Sequence, residues 1–100
     1  MGYMGRVITF MFNRIRKREA ERVARQWTKH LRAQGIAARV AYGVAGHDPI
    51  KVYTVLPTDQ YDAAERVYKA EAAFIRATHI RGIEWRVRSQ MPGDAVEVRE

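Results

Sequence analysis

Cysteine is absent from this chain. That excludes disulfides, thiolate metal sites and a thiol nucleophile. Acids are scarce: eleven Asp and Glu stand against eighteen Lys and Arg, a formal net charge of +7. Long apolar runs are missing too. The run Val7-Ile8-Thr9-Phe10-Met11-Phe12 falls far short of the ~20 residues a membrane span needs. It is also too short for a signal-peptide core, and arginines follow it at once. A cytoplasmic protein with no membrane partner is expected. No Gly-x-Ser-x-Gly, Walker or Gly-x-Gly-x-x-Gly motif occurs. His30, His47 and His79 lie far apart, without metal-ligand spacing, and the carboxylates are scattered. No catalytic residue, metal or cofactor is therefore expected. A single domain spans residues 1–100, with a folded core over 6–88 and a loose tail over 89–100.

The positive charge is local. Residues 14–32 read RIRKREAERVARQWTKHLR, with eight Lys or Arg against Glu19 and Glu21. This stretch alone carries +6 of the chain's +7. At 100° per residue, Arg14, Arg18, Arg22, Arg25, Lys29 and Arg32 fall within roughly 80° of helical arc. Ala20, Val23, Ala24, Trp27 and Leu31 fall opposite. One side is suited to burial, and the other forms a cationic rail about 27 Å long at 1.5 Å per residue. Solvated helix faces usually mix signs and gain from opposite charges at i,i+4. Here Arg18–Arg22 and Arg25–Lys29 are like-charged at that spacing. A polyanion that neutralises the rail accounts for the pattern better than solvent does.

Taken in order, residues 6–12 are rich in β-branched and aromatic types and predict a strand. Asn13 is placed to cap a helix over about 14–34, and Gly35 to end it. Partial alternation over 36–44 predicts a second strand, and 51–56 a third. Pro57 then breaks the ladder, Thr58 or Asp59 caps a helix to about Ile80, and Gly82 ends it. Ile83, Trp85 and Val87 alternate with Glu84, Arg86 and Arg88 in a fourth strand. A weak repeat supports this order: A-E-R-V at 20–23 and 64–67, G-I-x-x-R-V at 35–40 and 82–87. The expected class is α+β, a ferredoxin-like split βαβ in the order β-α-β-β-α-β. Its sheet would be antiparallel with four strands ordered 4-1-3-2, and both helices would lie on one face.

Two further surfaces follow from this layout. On the second helix, Ala63, Val67, Ala70, Phe74 and Ala77 form the face expected to be buried. Tyr61, Tyr68 and Ile75 recur at seven-residue spacing beside it. They either widen the core stripe or form the seam of a homodimer. On the sheet, Arg39, Lys51, Tyr53, Arg86 and Arg88 share the face turned away from the helices if Val52, Thr54 and Trp85 are buried. In strand 6–12 either Ile8-Phe10-Phe12 or Val7-Thr9-Met11 can be the inward set.

RNA-recognition-motif domains have the expected topology and stack bases on aromatics of their first and third strands. The resemblance is one of topology, with Tyr53 in the corresponding strand; KVYTVL lacks their defining motif. The stretch REAERVARQWTKHLRAQGIAARV is similar to the helix 1 to strand 2 segment of SPOR peptidoglycan-binding domains. The Gly-x-Phe that usually ends their strands 1 and 3 is missing here.

Two functions fit these observations. The first is a non-enzymatic nucleic-acid-binding module that contacts phosphates through the rail, with the sheet face as a second surface. The alternative is a protein-binding module, either a homodimeric adaptor or a small inhibitor of phage or plasmid type. Its basic helix would dock on an acidic surface of a larger nucleic-acid-handling machine.

Overall fold

The computed structural model describes residues 2–56 and 61–99, with side chains for 14–56 and 62–99. The elements are α1 (Gly2–Ala33), β1 (Arg39–Gly43), β2 (Ile50–Val55), α2 (Tyr61–Thr78), β3 (Ile83–Arg88) and β4 (Val96–Glu97). This is an α+β fold with a four-stranded mixed sheet, ordered β3-β2-β1-β4. β1 pairs antiparallel with β2 and β4, and β2 pairs parallel with β3.

The strand expected over 6–12 is not formed: these residues continue α1, which begins at Gly2. Their apolar positions Met4, Val7, Ile8, Met11 and Ile15 recur at helical spacing as well as resembling a strand by composition. No proline interrupts the chain before residue 49, so the helix that binds the core continues through Asn13. Asn13 is thus a helix-interior residue and not a cap.

The missing strand explains the other departures. In the split arrangement a first strand lies between the third and fourth. Without it, the unit β2–α2–β3 closes on itself as a parallel pair, six residues in register from Ile50↔Ile83 to Val55↔Arg88. The order 4-1-3-2 and the all-antiparallel sheet are therefore replaced. The topological likeness to RNA-recognition-motif and SPOR domains does not carry over. β4 pairs with β1 through Tyr42↔Val96 and Ala41↔Glu97. The Val98 amide also donates to the Val40 carbonyl at 2.8 Å, so part of the tail over 89–100 joins the sheet.

The short repeat has a structural counterpart in two helix–Gly–strand units. Val23 and Val67, at equivalent positions of A-E-R-V, are both fully buried. Gly35 and Gly82 both adopt positive φ, +71° and +78°. At Gly35 the chain forms a Schellman cap: the Ile36 amide donates to the Leu31 carbonyl and the Gly35 amide to that of Arg32, each at 2.9 Å. The Arg66 guanidinium adds a hydrogen bond to the Gln34 carbonyl at 2.9 Å, placing positive charge at the negative end of α1. α2 ends earlier than expected. His79 takes the left-handed conformation after Thr78, with φ 56°, while Gly82 turns the chain into β3.

One core lies between the helices and one face of the sheet. It contains Ala20, Val23, Ala24, Trp27 and Leu31 from α1, Val67, Ala70 and Phe74 from α2, and Val40, Ile50 and Val52 from the strands. Trp27 is its centre. Its indole N–H donates to Thr54 Oγ1 at 2.8 Å. Its ring meets Phe74 and Trp85, each at 5.4 Å between centroids. The pairing satisfies two buried polar groups at once. Val67, Phe74 and a half-buried Trp85 join Trp27 as the sequence suggests. Ala77, by contrast, is exposed, and Glu71 is buried in its stead.

Candidate functional site

Burial of Ala20, Val23, Ala24, Trp27 and Leu31 sets the rotation of α1 about its axis. The cations opposite them must then face solvent. Arg14, Arg18, Arg22, Arg25, Lys29 and Arg32 are all exposed. The arc itself carries no acid, but its flanks do. Glu19 pairs with Arg22 three residues on, and Glu21 with Arg25 four residues on, the latter at 2.9 Å. The Arg22 hydrogen bond holds the Glu19 carboxyl below its ordinary range. Arg14, Arg18 and Lys29 make no ion pair among the described residues. Exposed pairs of this kind are weak and solvent-screened, so Arg22 and Arg25 can exchange a neighbouring carboxylate for a phosphate with little loss.

The C-terminal half of the rail is also shaped. Arg25, Lys29 and Arg32 line a groove of about 530 Å³ with Thr28 and Val98. Arg25 also donates to the Arg99 carbonyl at 3.2 Å, which ties the tail to the helix. Arg32 then lines a second groove of about 690 Å³ with Ile36, Arg39, Val55, Leu56 and Ser89. The two grooves adjoin at Arg32 and bring Arg39 to the end of the rail. Sequence reasoning assigned Arg39 to the sheet face alone.

The opposite face of the sheet carries the second predicted set. Register places Arg39, Val55 and Arg88 in one row, and Glu97, Ala41, Tyr53 and Arg86 in the next. Lys51 follows, between Gly43 and Glu84. Because Val52 and Thr54 are fully buried toward the helices, Lys51, Tyr53 and Val55 must point away from them. Arg39 binds Glu97 at 2.5 Å and Arg86 binds Glu84. The hydrogen bond from Arg39 holds Glu97 below the ordinary carboxylate range.

The suggested seam on α2 is only partly described. Tyr68 is 57% exposed and so lies outside the core, while Ile75 is half-buried. The side chain of Tyr61 lies outside the described residues. Arg16, which sequence analysis left out of every site, donates to the carbonyls of Gly46 and Asp48. It clamps the β1–β2 turn to α1, a long-range contact with no local signal in the sequence.

Among the described residues no group of three His, Asp or Glu could hold a metal ion. Among them no helix is long and apolar enough to cross a membrane. No protein-family model, curated protein or solved structure matches this chain.

Proposed function

We propose that this protein is a nucleic-acid-binding module whose α1 rail contacts the phosphate backbone. One observation carries the reading: six cations lie exposed along one face of α1, acids stand only at its flanks, and the helix is anchored through Trp27. A rigid helix presents such a row without the entropic cost of ordering a loop. The shaped grooves around Arg25, Lys29, Arg32 and Arg39 add concave contact where the rail reaches the sheet. Phosphate contacts fix position and register but do not read bases, so binding is weakly sequence-specific. The role is binding and not catalysis.

The rival reading is a protein-docking rail that seats on an acidic surface, alone or as a homodimer joined through Tyr61, Tyr68 and Ile75. Binding titrations on a short duplex and a short single strand at about 150 mM salt separate the two. The nucleic-acid reading expects dissociation constants tighter than about 100 μM, the loose end of non-specific binding. Weaker binding to both nucleic acids overturns it. Sedimentation of the protein alone tests the seam: Tyr68→Glu turns a dimer into a folded monomer, whereas a wild-type monomer removes the seam.

A further inference from the structure

We propose that the open face of the sheet is a stacking platform for single-stranded nucleic acid, with Tyr53 as the stacking residue, reached from the α1 rail through the groove between Arg32 and Arg39. The proposal rests on the nucleic-acid reading of the rail and adds the form of the ligand and its path.

Tyr53 sits on β2, which is flanked by β1 and β3. Its register partners are Ala41 on one side and Arg86 on the other. Gly43 lies diagonal to it, two residues from Ala41. A Cβ placed at Gly43 would meet Tyr53 Cε2 at 3.5 Å and its hydroxyl at 3.9 Å. The ring therefore leans along the sheet, its far end over Gly43, and does not stand up from it. Ala41 is fully buried although it faces away from the core. Small residues beneath the half-buried ring allow it to lie low, with its outer π-face turned away from the sheet. Every base has a π-face to match, so such a platform stacks bases with little regard to sequence.

The charges around the ring select the ligand. Arg39, Lys51, Arg86 and Arg88 face this side, against Glu84 and Glu97. Both acids are engaged by arginines, Glu97 by Arg39 and Glu84 by Arg86. Lys51 and Arg88 make no ion pair among the described residues. An aromatic ringed by net positive charge complements a chain that carries bases and phosphates together.

The path runs through two grooves that share Arg32. Arg25, Lys29 and Arg32 line the first groove. The second groove runs from the helix side, with Arg32 and Ile36, to the open face, with Arg39 and Val55. Val55 lies in register with Arg88, one row from Arg86 and two residues from Tyr53. A strand held by its phosphates on α1 can pass round this end of the sheet and lay a base on the ring. Duplex offers no unstacked base to the ring.

The test compares wild type with Tyr53→Leu and Tyr53→Trp on a short single strand and on a duplex of matched length. Leucine keeps an apolar cover over Gly43 and removes the π-face; thermal melts and far-UV spectra confirm that each variant is folded. The expected result is a loss of about tenfold or more in single-strand affinity for Tyr53→Leu. Tyr53→Trp should restore it, with duplex affinity and salt slope unchanged in both variants. Unchanged single-strand binding by Tyr53→Leu overturns the platform and leaves the rail reading intact. An equal loss on single strand and duplex also overturns it, because stacking acts on unpaired bases. If wild type binds neither form, the rail reading and the platform fall together.

Discussion

The two basic faces of this molecule are built by different rules. The rail on α1 comes from one element: steps of three or four residues, read along 19 consecutive positions. The open face is assembled from four strands, and its neighbours Glu97, Ala41, Tyr53 and Arg86 meet only through register. The rail is a line of charge with acids at its margins, suited to a uniform polyanion. The sheet face intersperses acids among its cations and centres on an aromatic, suited to a ligand with its own flat groups. On the proposed reading, charge density favours affinity on the first face; on the second, the form of the ligand matters more.

The largest expected effect removes what holds the two faces back to back. Trp27 is fully buried and joins α1 to β2 through Thr54. Trp27→Ala should cost about 3–5 kcal/mol, as large aromatic truncations in cores do. Denaturant melts check this, and both proposed binding activities should fall together. A loss confined to the rail would show that the sheet stands without its helix.

The next effect is a pH dependence inside the layer between the faces. Glu71 on α2 is buried, its Oε1 lacks a hydrogen-bond partner among the described residues, and burial pushes its carboxyl up to about 7. A raised carboxyl pKa means that the folded state binds the proton more tightly than the unfolded state does. This contribution is therefore present below about pH 4.5, lost as pH rises toward 7, and constant above that. The loss should be on the order of 1–3 kcal/mol. Glu71→Gln should flatten it in urea melts between pH 5 and 8. An equally steep decline in the variant would assign it to another group.

A smaller effect sharpens the contrast between the faces themselves. Removing the rail's acids with Glu19→Gln and Glu21→Gln should tighten binding to duplex and single strand alike, by a few-fold, because exposed pairs are weak. Removing Glu84 and Glu97 in the same way should help single strands alone. The same titrations read both. Equal gains on both ligands from the sheet pair would merge the two faces into one electrostatic surface.

The six cations of the rail were legible because helical periodicity needs only local information, and the buried stripe opposite them was as clear as the charged one. So were the two helix–Gly–strand units, marked by A-E-R-V and G-I-x-x-R-V. The open face was legible as parity, since Val52 and Thr54 fix the direction of Tyr53. Its row partners on β3 were not, because the parallel pairing of β2 and β3 depends on whether another strand lies between them. That point turned on residues 6–12, whose β-rich composition and helical spacing point to different structures. Context decided for the helix, which continues uninterrupted from Gly2 to Ala33. The flanking pairs of Glu19 and Glu21 were within reach of i,i+3 and i,i+4 rules, and an arc drawn from cations alone passed over them. Burial of Glu71 had no sequence signal, since a carboxylate on a helix is ordinarily solvated.

The salt dependence of binding tests the rail most directly. Each phosphate contact releases counterions, so log K falls by about 0.9 per contact for every unit of log salt on duplex DNA. With six rail cations, and not all reaching a phosphate at once, the wild-type slope should lie between roughly −3 and −5. Arg25→Ala with Lys29→Ala, two cations that line one groove, should make that slope shallower by about 2 and weaken binding to all sequences alike. A slope unchanged by the double substitution would contradict the rail as the phosphate-contacting surface.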